Sequence, residues 1–113
     1  MISQVFSCGT EAMARAMEDT GAPIYRYEMK HVPSRSIWGT TPGAWMGAGH
    51  GEDIQYVFGW GLRIREQTPE EKVMSIQIMR YWTNFIKTGS VQLINESKQS
   101  HILSFLRNCF VTH

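Results

Sequence analysis

The sequence predicts an α/β chain with an incomplete sheet, and three observations carry that class. An apolar-periodic segment with start and stop signals runs from Thr68 to Gly89. A short alternating run rich in β-forming residues, "IYRYEM", occupies Ile24 to Met29. A loop of ~20 residues, 31 to 51, lies between them, longer than compact domains usually tolerate without a functional reason. The expected inventory is one or two strands, two helices and a long loop that carries a histidine.

Each element has local grounds. Thr10 is placed to cap a first helix over Glu11 to Thr20, in which Met13, Ala16 and Met17 share a face and Gly21 can end the helix. Glu18 and Asp19 oppose the helix dipole at that end. Pro23 breaks the pattern, and "IYRYEM" then reads as a strand. Residues 31 to 51 hold "VPSRS" and the glycines Gly39, Gly43, Gly47, Gly49 and Gly51, with little periodicity. "IQYVFG", Ile54 to Gly59, fits either a short strand or a buried helical turn. In "TPEEK", Thr68 is the expected N-cap, Pro69 suits the first helical position, and Glu71 completes a capping box. Met74, Ile78, Tyr81, Trp82 and Phe85 then share one face, Lys87 suits the last turn and Gly89 the C-cap. The apolar arc is wide enough to pack on two sides. After Gly89 the periodicity weakens until Ile102 to Val111.

Totals narrow the function classes. The chain has 113 residues, 42% apolar and 19% charged, which suits one small folded domain rather than a disordered segment. Its net charge is +1 and no run of Lys or Arg occurs, which argues against nucleic acid as a partner. No apolar stretch approaches the ~18–20 residues of a membrane span, and Met1 to Cys8 is too short and polar to read as a secretory signal. Cys8 and Cys109 lie near opposite ends. They fit either two reduced thiols or a disulfide closing most of the chain, worth roughly 4–5 kcal/mol in the chain-entropy model.

His31, His50, His101 and His113 show no metal-ligand spacing, and no C-x-x-C occurs, so neither a metal nor another cofactor is expected. "GAGHG" has the spacing of no phosphate-binding loop, and no G-x-S-x-G nucleophile elbow is present. His50 is the candidate that remains. Gly49 and Gly51 flank it and leave open space around the ring. Glu52 and Asp53 follow, and one of them can fix the ring tautomer for acid–base work. The bland reading, a solvated or hydrogen-bonded loop histidine, is the commoner one on these facts alone.

"WMGAGHGEDIQYVFG" together with "TPEEKVMSIQIMRYWTNFIKTG" resembles the C-terminal part of the type-B carboxylesterases, most closely the cholinesterases. The first stretch follows W-M-G-x-x-H-G-x-E-I-x-F/Y-V/I-F-G at Trp45, Met46, Gly47, His50, Gly51, Ile54, Tyr56, Val57, Phe58 and Gly59. The second follows M-x-Y-W-x-N-F-x-x-T-G at Met79, Tyr81, Trp82, Asn84, Phe85, Thr88 and Gly89. The resemblance divides the chain into a partial α/β-hydrolase domain, residues 1–89, and a divergent tail, residues 90–113.

The resemblance implies that His50 is the base of a Ser–acid–His triad in a serine esterase acting on acylcholine esters such as acetylcholine. Trp45 would line an aromatic substrate gorge, and Glu52 would stand near a cationic substrate. Asp53 would be a buried supporting carboxylate, with Gly49 and Gly51 shaping the loop behind the ring. Cys8 falls where the family has one partner of its last intrachain disulfide, with Cys109 as the other if the tail reaches it. The nucleophile, the triad acid and the oxyanion hole would come from the remainder of the hydrolase domain, so the isolated chain should be inactive. The parent would be secreted or cell-surface, and its self-association stays open. Two other readings compete: a catalytically inactive adhesion or structural relative, and a small interaction protein exposing the Met74/Trp82 face.

Overall fold

A computed structural model describes residues 2–41, 43, 45–63 and 67–91. Four helices appear there: α1, Ile2–Glu18; α2, Ile54–Val57; α3, Trp60–Arg63; and α4, Pro69–Thr88. Helix α4 has the predicted ends. The Thr68 hydroxyl accepts the Glu71 N–H at 3.2 Å, and the Glu71 carboxylate accepts the Thr68 N–H at 2.9 Å, so two of the orphan donors at the helix start are satisfied. Pro69 sits in the first turn. Gly89 closes the other end at φ 71°, its N–H bonded to the Phe85 carbonyl at 2.8 Å.

Helices α2, α3 and α4 pack on one another. Tyr56 of α2 and Met74 and Ile78 of α4 form the buried apolar centre, with Met29, Val57 and Tyr81 against it. The Ser75 hydroxyl donates to the Tyr56 carbonyl at 2.8 Å and ties α4 to α2. "IQYVFG" therefore resolves as a helical turn. Helix α3, unforeseen in the sequence, follows Gly59, whose φ of 64° turns the chain out of α2. Gly61 meets Gln67 so closely that a β-carbon there would lie 1.8 Å from the Gln67 side chain.

Three expectations need correction. Helix α1 begins well before Glu11, and Thr10 does not cap it: its hydroxyl donates back to the Phe6 carbonyl at 2.8 Å, inside the helix. Gly21, at φ 70°, does end the turn that follows. "IYRYEM" has no strand ladder, and no strand occurs among the described residues. A strand needs a neighbour to accept its backbone bonds, and these residues supply none. Its alternation persists in the side chains. Tyr25, Tyr27 and Met29 turn toward α4 and the core, at 5.7 Å from Phe85 and 6.1 Å from Trp82 for the two tyrosine rings, while Arg26 pairs with Glu11 of α1. Finally, α4 is covered on one side only among the described residues: Val73, Ile76 and Ile86 stay exposed. The sheet part of the expected α/β class is therefore not seen here, and the tail 92–113 lies outside the described residues.

Candidate active site

Among the described residues the buried side chains are mostly polar. Among the described residues the core side chains Tyr56, Met74 and Ile78 are buried beside seven polar ones, which include Ser36, Glu52, Gln55 and Glu71. Buried polar groups persist only when hydrogen-bonded, so this network decides where the loop 31–51 runs.

Two carboxylates hold that loop. At its start, Glu71 accepts from His31 Nε2 at 3.0 Å, from the Ser34 N–H at 2.6 Å and from the Ser34 hydroxyl, and its Oε1 also takes the Tyr56 hydroxyl at 3.0 Å. Burial opposes the ionised form of Glu71, but the hydrogen bonds from Ser34, His31 and the Thr68 N–H outweigh it and pull the carboxyl down to about 2. The next clamp is Glu52, only 3% exposed. It accepts from the Ser36 hydroxyl, from the Ile37 N–H at 3.0 Å and from Gln55 Nε2 at 2.9 Å.

His50 sits at the turn just before Glu52. The Glu52 N–H bonds to the Gly49 carbonyl at 3.3 Å and the Ile54 N–H to the Gly51 carbonyl at 3.1 Å. Gly51 adopts φ 79°, a conformation that side chains with a β-carbon rarely take. The flanking glycines thus serve the backbone and its packing rather than space around the ring: a β-carbon on Gly49 would first meet Glu52 at 3.4 Å, and one on Gly51 would meet Ile54 and Ile37. The imidazole is exposed and stacks on Phe6 of α1, ring centroids 4.4 Å apart and planes 11° from parallel. No described residue hydrogen-bonds to either ring nitrogen.

A groove of about 990 Å³ opens beside it. Phe6, Trp38, Trp45 and Met46 give it aromatic and apolar walls, and Arg26, Glu28, Glu52 and Asp53 bring charge. Trp45, expected to line a gorge, stands 87% exposed at its edge. The two consecutive carboxylates diverge. Glu52, expected beside a substrate, is turned into the protein with its carboxylate oxygens bonded to Ser36, Ile37 and Gln55. Asp53 accepts the Tyr27 hydroxyl at 2.8 Å on the side of α4. Burial first, then the bond and the charge of Asp53, push the Tyr27 phenol well above its usual range, against a smaller opposing effect from Trp82.

Cys8 is an exposed free thiol on α1, and its expected partner Cys109 lies outside the described residues. Among the described residues no cluster of His, Cys, Asp and Glu forms a metal site. Sequence reasoning missed the Phe6 stack, the Ser36 and Tyr27 anchors and the second role of Glu71. Only Glu71 had left a signal, as the last member of the capping box.

The loop histidine lines an aromatic groove and stacks on Phe6. The chain belongs to the carboxylesterase family, whose model matches residues 1–105. Acetylcholinesterase-1 of Trittame loki is 38% identical over 95 residues, 83% of this chain and 16% of that protein. Acetylcholinesterase of Gallus gallus is 40% identical over 83 residues, 73% of this chain and 10% of that protein. Carboxylesterase 5A of Felis catus is 40% identical over 82 residues, 67% of this chain and 15% of that protein. The chain therefore spans a small part of the length of the relatives it matches. The family is one of α/β-hydrolases, so the sheet absent from the described residues belongs to the fold as a whole.

Proposed function

We propose that this chain supplies the histidine of a serine carboxylic-ester hydrolase whose other catalytic groups lie elsewhere in the hydrolase domain. The observation that carries the reading is His50 itself, exposed at the groove on a turn that Gly51 makes possible. In this reading His50 takes the proton of a serine hydroxyl as the serine attacks the ester carbonyl, then returns it to the leaving alcohol. A carboxylate from the remainder of the domain orients the ring, and backbone N–H groups there stabilise the oxyanion.

The substrate is an acylcholine ester. Trp45 and Trp38 offer aromatic faces to a quaternary ammonium, and Glu28 and Asp53 add negative potential from the same groove. The parent protein is secreted or displayed at the cell surface, and Cys8 pairs with Cys109 there. No helix among the described residues is long and apolar enough to cross a membrane.

The test is a chimaera in which this chain replaces the matching segment of the Gallus gallus acetylcholinesterase, assayed with acetylthiocholine. Turnover is expected, and His50→Ala should lower it on the order of 10⁶-fold. The 113-residue chain alone should show none. Undiminished turnover in the His50→Ala chimaera refutes the assignment. An inactive wild-type chimaera that folds and secretes normally favours a non-catalytic member of the family.

A further inference from the structure

We infer that Glu52 is a positioning residue for His50, an inference that rests on the esterase reading above and gives Glu52 a role other than substrate contact. The geometry has three parts. Glu52 lies two residues after His50 and closes the same turn through its N–H to the Gly49 carbonyl at 3.3 Å. Its carboxylate is buried and gathers donors from two other segments: the Ser36 hydroxyl and Ile37 N–H from the loop, and Gln55 Nε2 from α2. Gln55 in turn reaches the Arg35 carbonyl at 3.2 Å, so the contact between loop and α2 is doubled.

The turn that bears the histidine is thus tied to the polypeptide on both sides of it. The next residue, Asp53, is tied in a different direction, to Tyr27. Restraints from two directions fix the turn more tightly than one can. The imidazole lies outside this network and touches Phe6, so it stays available while its backbone is held. A carboxylate is the group suited to the task because it only accepts, and the atoms facing it are an O–H, an N–H and an amide NH₂. An amide in its place would set NH₂ against one of these donors.

The experiment uses the chimaera carrying the full chain, with active sites counted by titration with an irreversible phosphonylating ester, so that misfolded protein does not enter kcat. Glu52→Gln should lower kcat per titrated site on the order of 10²-fold, the effect of displacing a reacting group by about 1 Å, and leave KM within about twofold. Ser36→Ala, which removes one of the three donors, should lower kcat about tenfold in the same manner. A residue that contacts the substrate would instead raise KM, and a residue that only stabilises the fold would reduce the number of titrated sites and leave the rate per site intact. Either result overturns the inference, as does an unchanged kcat. If Glu52→Gln leaves no sites to titrate, Ser36→Ala decides between the same outcomes. An inactive wild-type chimaera removes the esterase reading, and this inference with it. An active wild type with unaffected variants removes the positioning role alone.

Discussion

Acidification should unlock the loop through Glu71. This carboxylate is 1% exposed and accepts from His31, from both donors of Ser34, from Tyr56 and from the Thr68 N–H. Its folded value of about 2 lies below the ordinary value of 4.5. A depressed carboxyl stabilises the fold above its unfolded value, and that stability disappears as pH falls toward the folded value. The window is therefore about pH 4.5 down to about 2, and the linked free energy is on the order of 3 kcal/mol. A chain of this size has roughly 6–17 kcal/mol in all by the usual per-residue range. With a buried core of Tyr56, Met74 and Ile78 among the described residues, the lower end applies, and the loss is a large share of it.

Urea unfolding followed by helical circular dichroism, at steps from pH 7 to pH 2.5, measures the effect on the α2–α4 unit. Glu71→Gln removes the titrating group and keeps the shape. At pH 7 the variant should be less stable by about 3 kcal/mol, since one amide oxygen must serve donors that now share a carboxylate. Below pH 4.5 the two proteins should converge, because wild type loses what the variant already lacks. Parallel curves, with the gap at pH 7 preserved at pH 2.5, would refute the assignment of the acid limb to Glu71.

At the alkaline end the sign reverses. Tyr27 is held neutral in the folded chain, so its contribution is present below pH 10 and is lost as the pH rises above it; Tyr27→Phe should flatten that decline, and absorbance of the phenolate near 295 nm checks the assignment. Gly61→Ala should destabilise the α2–α4 unit by about 1–3 kcal/mol in urea, because buried Gln67 must leave its place and its 3.4 Å bond to Gln55.

What was legible in the sequence is what short-range chemistry encodes. The ends of α4 are set within four residues by Thr68, Pro69, Glu71 and Gly89, and all of them act as read. The long loop was legible from its glycines and its lack of period. The candidate site was legible only in part: a glycine-flanked histidine marked the place, but the directions of Glu52 and Asp53 depend on backbone angles of the turn, and apart from Gln55 the partners named for them lie 15 to 26 residues away. The double duty of Glu71 was hidden for the same reason, since His31 and Ser34 are 40 and 37 residues distant.

"IYRYEM" separates the two kinds of information within one segment. Alternation is local, and it survives: Tyr25, Tyr27 and Met29 face α4 while Arg26 faces α1. The ladder that would make it a strand is a property of neighbouring chains of backbone, and no amount of β-propensity replaces them. Tyr27 links this segment to the site, because its hydroxyl holds Asp53 at 2.8 Å. If the segment pairs with a sheet in the complete hydrolase domain, the same alternation keeps Tyr27 on the α4 side. The bond from Tyr27 to Asp53, three residues after His50, then stands on the sheet, and a restraint built on a sheet holds the histidine-bearing turn more rigidly than one built on a single segment can.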